Sequence, residues 1–348
     1  MRPISSFLTG SLRLLALAAA LAAGLAVSAA GAQDAGNPAN SAASPAPQTP
    51  ADPATPLVSV DWLAAHGNDT GLVILDIRSA IDGSTPETYA KGHIPKALPS
   101  DYDKGGWRST RNGVPFMLPS VAQLEKLIGE LGVDEDSRVV IVPAGVSASD
   151  FGAATRVYWT LKVAGVLKVS ILDGGYAAWV AAKQPVETGV NTPSPTIFTA
   201  TMDNTSVAEA SDVEIALATH KGTLVDARPA PFYNGKTKID IAGAYGHIPG
   251  AINIDSAEFY DENTNRLKPL PELKAIAARL PATGEVINYC NTGHWSSTDW
   301  FVLSELLGRK DVKVYYGSIV DWTMNPSRPV TSSRTKWDDV KKFFGHGS

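Results

Sequence analysis

The chain is written twice. Leu72-Val-Ile-Leu-Asp76-Ile-Arg78 returns as Thr223-Leu-Val-Asp226-Ala-Arg228, and Lys91-Gly-His93-Ile-Pro95 returns as Tyr245-Gly-His247-Ile-Pro249. Arg138–Val142 matches Glu285–Tyr289, Ala153–Gly165 lies over Ser296–Gly308, and Gly174–Trp179 lies over Gly317–Trp322. Landmarks repeated in the same order mark a duplicated unit, and 348 residues suit two such domains. Within each copy, short β-branched runs (Val139 to Val142, Val286-Ile287) alternate with helical patterns such as Val121–Leu131 and Glu272–Leu280. That alternation requires crossover connections, hence an α/β fold with a parallel, mainly five-stranded sheet flanked by helices in each domain. The expected domains are 57–185 and 206–330, with the Pro-rich stretch Gln184–Thr196 between them.

Residues 1–32 read as a signal peptide, with Arg2 and Arg13, an apolar run from Leu14 to Val27, and Ala30-Gly31-Ala32 before Gln33. Residues 33–56 are Ala, Pro, Ser, Asn and Thr with almost nothing to bury, which predicts a disordered tether. A periplasmic location follows, with no stable membrane insertion after cleavage. The tail, 331–348, is polar with an amphipathic patch from Trp337 to Phe344. A formal charge of −5 without a basic cluster argues against nucleic acid as a partner. Six scattered histidines and one cysteine have no metal-ligand spacing, and no phosphate-loop or dinucleotide pattern is present, so neither metal nor cofactor is expected.

The single cysteine, Cys290, has no intramolecular disulfide partner. It stands where the run Val286–Tyr289 ends and the loop Cys290-Asn291-Thr292-Gly293-His294-Trp295-Ser296 begins. Ligands of open α/β sheets bind at such carboxyl ends. Gly293 would let the backbone curl so that successive amides point inward, and such amides favour a thiolate and any anion that meets it. The competing reading is a buried, inert cysteine packed as a small hydrophobe.

With these residues in view, the duplicated Asp-x-Arg and Gly-His-Ile-Pro elements and the cysteine loop resemble the tandem rhodanese family, over roughly Leu57 to Val330. The resemblance implies a sulfurtransferase. A Cys290 thiolate would take a sulfane sulfur from a small anionic donor, thiosulfate-like or mercaptopyruvate-like, and pass it from a persulfide to a thiol, cyanide or protein acceptor. It also implies a silent first domain, where Pro143 or Ala144 stands in place of Cys290 and the loop Ala144–Gly152 reads as about four residues longer. Three departures from the family pattern concern the donor. Asn291 and Thr292 replace basic residues after the cysteine, His294 and Trp295 replace a small pair, and Phe232 takes the place of a substrate-holding Arg. His294 is expected to supply positive charge or a proton, Trp295 a wall of the pocket, and Phe232 a further pocket residue. Asp226, Arg228 and His247 are expected to be structural, as are Asp76, Arg78 and His93. Ser296 closes the loop where phosphatases of this fold carry an Arg, which argues against phosphatase activity. The alternative function is a non-enzymatic persulfide carrier or sulfur-binding partner of another exported protein.

Overall fold

The computed structural model describes residues 55–334. The expected signal peptide, all but the end of the expected tether and the Trp337–Phe344 patch lie outside them. The first half holds strands β1 (Leu57–Val58), β2 (Leu72–Asp76), β3 (Leu98–Pro99), β4 (Ser109–Arg111), β5 (Val114–Met117), β6 (Arg138–Val142) and β7 (Lys168–Leu172). The second half holds β8 (Val207–Ala208), β9 (Thr223–Asp226), β10 (Ile252–Asn253), β11 (Tyr260–Asp261), β12 (Arg266–Leu267), β13 (Val286–Tyr289) and β14 (Val312–Tyr315). Two five-stranded sheets result, ordered β1-β7-β6-β2-β3 and β8-β14-β13-β9-β10, and every pairing within them is parallel. One order is the other with each strand replaced by its repeat, so the duplication in sequence is a duplication in space.

The repeated polar motifs build matching corners. Arg228 donates from Nη2 to Asp226 at 2.6 Å and to the Gly246 carbonyl at 2.7 Å, while Arg78 does the same to Asp76 at 2.7 Å and Gly92 at 2.8 Å. Both pairs are buried, and a buried charge is tolerated only when so paired. His247 donates from Nδ1 to the Tyr233 carbonyl at 2.8 Å and stacks on that ring; His93 repeats this with Tyr89. Thr331, the first residue of the tail, exchanges both backbone hydrogen bonds with His247 at 2.8 Å.

Two helices face each other across the domain boundary: α1 (Ala148–Ala164) and α2 (Ser296–Trp300), the latter continuing as a π-helical stretch, Phe301–Leu306. Thr155 and Thr298 hydroxyls meet at 3.1 Å, and Phe301 stands edge-on to Tyr158 at 4.9 Å. The apolar core runs through this seam without a break. Aromatic side chains buried there contribute roughly 1.5–3 kcal/mol each, so the seam ties the two halves together.

Helix α1 begins earlier than the repeat suggested. Ser147 caps it by accepting from the Asp150 amide at 3.1 Å, a side-chain bond that starts the helix as soon as one is available. The first-half loop is therefore Pro143–Ser147 and not an extended Ala144–Gly152. It is no longer than its counterpart Cys290–Trp295. Among the described residues, no helix is long and apolar enough to cross a membrane.

Candidate active site

Strand β13 lies inside the second sheet and delivers Cys290 at its carboxyl end. The Cys290 amide donates to Ser318 Oγ at 3.0 Å, and Ser318 in turn donates to the Tyr315 carbonyl at 2.8 Å. The Cys290 and Asn291 carbonyls accept from Ile319 and Val320, so the start of the loop is pinned to the helix Ser318–Met324. Gly293 has a φ of +75°, and a Cβ there would collide with Arg156 Nη1 and the Tyr316 carbonyl. Only glycine satisfies both the left-handed backbone and the close approach. Ser296 donates to Cys290 Sγ at 3.7 Å. Among the described residues, the backbone N–H groups from Asn291 to Ser296 have no acceptor. Cys290 is only 1% exposed, yet it lines a pocket of about 250 Å³.

The first half shows what becomes of such a loop without a cysteine. Tyr176 and Ala177 amides bond the Pro143 and Ala144 carbonyls as Ile319 and Val320 bond those of Cys290 and Asn291. Pro143 therefore occupies the cysteine's place. Here the curled amides are already occupied: Asp150 accepts from Ala144 at 3.0 Å, from Gly145 at 2.5 Å and from Val146 at 3.1 Å. Burial pushes the Asp150 carboxyl up to about 6, against the lowering effect of those amides. The first loop carries its own anion.

The pocket over Cys290 is walled from both halves. Ile81, Arg108, Phe116 and Ser149 come from the first, and Asn291, Thr292, His294, Trp295 and Ile239 from the second. The sequence holds the turn that presents Arg108 and Phe116, since Asn112-Gly113, both at positive φ, join β4 to β5. Phe116 itself sits at a φ of +64°, a conformation that a bulky residue adopts only under constraint. The Arg108 guanidinium lies over the Tyr102 and Phe116 rings and pairs with Asp103 at 2.8 Å.

His294 differs from expectation. It is buried, Tyr102 donates its hydroxyl to Nδ1 at 2.7 Å, and Nε2 donates to the Ser149 carbonyl at 2.9 Å. Burial first, then the fields of Arg108 and Arg156, lower its pKa to about 3. The ring is neutral with both nitrogens engaged, so it supplies neither positive charge nor a free proton. The cation stands opposite. Arg156, on α1, is fully buried, donates to the Thr292 carbonyl at 3.2 Å and the Phe116 carbonyl at 3.4 Å, and leaves Nε without a partner. Among the described residues it forms no ion pair, and burial lowers its pKa to about 10. Asp299, also buried, has neither carboxyl oxygen bonded, and burial holds its pKa well above the usual range.

Trp295 lines the pocket and donates to Ser149 Oγ at 3.3 Å, while Phe232 stands behind it, edge-on at 6.1 Å. Arg228 reaches the loop as well, donating to Asn291 Oδ1 at 3.4 Å. The structure brings Cys290, Asn291, Thr292, His294 and Trp295 together around the pocket, whereas Tyr102, Arg108, Ser149, Arg156 and Ser318 were not singled out. Arg156 carried a signal, being one of only two charged residues, with Lys162, in the helical run Ala153–Gly165.

This architecture agrees with known proteins. The rhodanese-like domain model matches residues 59–182 and 209–325. The 3-mercaptopyruvate sulfurtransferase of Escherichia coli is 31% identical over 280 residues, covering 78% of this chain and 96% of that protein. The thiosulfate sulfurtransferase of Bos taurus is 31% identical, covering 76% and 91%. The crystal structure of SseA, a 3-mercaptopyruvate sulfotransferase from Escherichia coli, superposes with a TM-score of 0.66 at 30% identity, covering 76% of this chain and 98% of that one. The chain belongs to the rhodanese family, with two rhodanese-like domains. It is a sulfurtransferase enzyme.

Proposed function

We propose that Cys290 is the nucleophile and that sulfur passes through a Cys290 persulfide. The observation that carries this reading is the contrast between the two loops. Amides equivalent to those that Asp150 fills in the first half are left without an acceptor around Cys290, with an unpaired Arg156 beside them. Donors so arranged stabilise a thiolate, an arriving anion and a persulfide alike. The thiolate attacks the outer sulfur of thiosulfate; an S–S bond forms to Cys290, the donor's own S–S bond breaks, and its electron pair leaves on sulfite. With 3-mercaptopyruvate the bond broken is C–S, and the resulting enolate takes up a proton to give pyruvate. A thiophilic acceptor then removes the outer sulfur and restores the thiolate. Gly293 and Ser296 shape and bond the sulfur site, Asn291 and Thr292 line it, Trp295 walls it, and Asp226, Arg228 and His247 hold the sheet end beneath it.

On this reading the enzyme acts in the periplasm, since residues 1–32 have the pattern of an export signal; fractionation with sequencing of the mature N-terminus tests it. Intact mass after incubation with thiosulfate or 3-mercaptopyruvate tests the chemistry. The expected result is one added sulfur atom, removable by cyanide and absent in Cys290→Ser. A folded enzyme that alkylates at Cys290 yet gains no sulfur from either donor would overturn it.

A further inference from the structure

We infer that the preferred donor is an organic sulfur compound bearing one oxyanion and an apolar body, its oxyanion held by Arg108 of the first domain. The inference rests on the reading that Cys290 receives sulfur, and deepens it by naming the substrate class. Three observations carry it.

The first is the wall. Ile81, Phe116, Ile239 and Trp295 face the space above Cys290, and Ile81 and Phe116 remain 36% and 37% exposed. Apolar side chains left open around a concave site mark the body of a ligand. A pocket of about 250 Å³ exceeds the share of liquid held by one water, about 30 Å³, several-fold. Bare thiosulfate would leave those walls facing water.

The second is the cation. Neither Asn291, Thr292 nor Phe232 carries charge, and Arg108 is the charged residue lining the pocket. Its side chain is 10% exposed, Asp103 bonds Nη2, and Nε is buried without a partner. A guanidinium with an unused donor suits an oxyanion.

The third is constraint. Phe116 holds its positive φ while Arg108 lies on its ring and Arg156 bonds its carbonyl. The hairpin that presents both the wall and the cation is thereby fixed in place, which is what recognition of a particular shape requires.

The probes are the sodium salts of benzenethiosulfonate and methanethiosulfonate, which share a reacting group and differ in the body. With either, the Cys290 thiolate takes the outer sulfur, a new S–S bond forms, the bond to the sulfonyl sulfur breaks, and the sulfinate leaves with the electron pair. Single-turnover loading of Cys290 is followed by intact mass, with each rate divided by that of the same donor toward a free thiol. The benzene compound is expected to load at least tenfold faster than the methane compound. Ile239→Asn is expected to bring the ratio toward one. Arg108→Gln is expected to slow both at least tenfold, with recovery in Arg108→Lys. Equal normalised rates in the wild type, or an Arg108→Gln variant that folds and loads normally, would overturn the inference while leaving persulfide chemistry intact. Failure of both compounds and of thiosulfate to load an alkylatable Cys290 would instead sink the underlying reading.

Discussion

The Tyr102 hydroxyl stands 2.7 Å from Nδ1 of His294, joining a phenol of the first domain to the loop that carries the cysteine. Because Nε2 of the same ring donates to Ser149, the imidazole acts as a neutral tie between domains. Tyr102→Phe leaves Nδ1 buried without a donor, a defect that costs about 1–3 kcal/mol. Urea unfolding should show a loss of that size, with little change in the slope of the transition.

His294 also sets a pH dependence. The unfolded ring takes up a proton near 6.5 and the folded ring only near 3. As pH falls through that window, the unfolded chain binds more protons and the histidine's contribution to stability is lost, by up to about 1.4 kcal/mol per pH unit. Asp150, raised from 3.8 to about 6, acts in the opposite sense over part of the same range. The comparison is therefore made between wild type and the non-titrating His294→Gln, whose stability difference should shift toward the variant between pH 6.5 and pH 4.

Arg156→Met separates stability from chemistry. Arg156→Met relieves a buried charge that has no ion-pair partner, and this is offset by the loss of its bonds to the Thr292 and Phe116 carbonyls. The same change removes positive charge beside the cysteine loop. Thermal unfolding should change little while iodoacetamide labelling of Cys290 at pH 7 slows about tenfold or more. Equal labelling rates would show that Arg156 has no electrostatic part in the site.

Restoring a thiol to the first domain should not restore a site. Pro143→Cys places sulfur at the position equivalent to Cys290, but its amides remain bonded to Asp150. The new thiol is expected to gain no sulfur from thiosulfate in the Cys290→Ser background. Asp150→Ala, which strands those amides, should cost about 1–3 kcal/mol in urea unfolding.

Gly293→Ala combines a left-handed backbone with a collision against Arg156 and Tyr316. Backbone strain alone is worth about 1–2 kcal/mol, and relief would displace the loop. We expect at least a hundredfold loss in kcat/KM with thiosulfate, with the fold retained by circular dichroism.

The sheets and the cysteine loop were legible because they are local. Alternating runs give the strands, and the repeat supplies each half with a check on the other. The partners of the loop were not legible, because Tyr102, Arg108 and Arg156 reach it across a seam between distant segments. His294 was misread for the same reason, since its neutrality depends on Tyr102 and Ser149, whose proximity no spacing encodes. The start of α1 was not legible because the two copies match only from Ala153 onward, whereas Ser147 and Asp150 begin the helix by polar capping.

An open anion cradle in each half would divide incoming donor between a productive address and a barren one. The Asp150 carboxylate closes the second address from within. If Cys290 is the nucleophile, a first domain without one thus cannot act as a decoy, and the enzyme meets its substrate as a single-sited protein despite its double body.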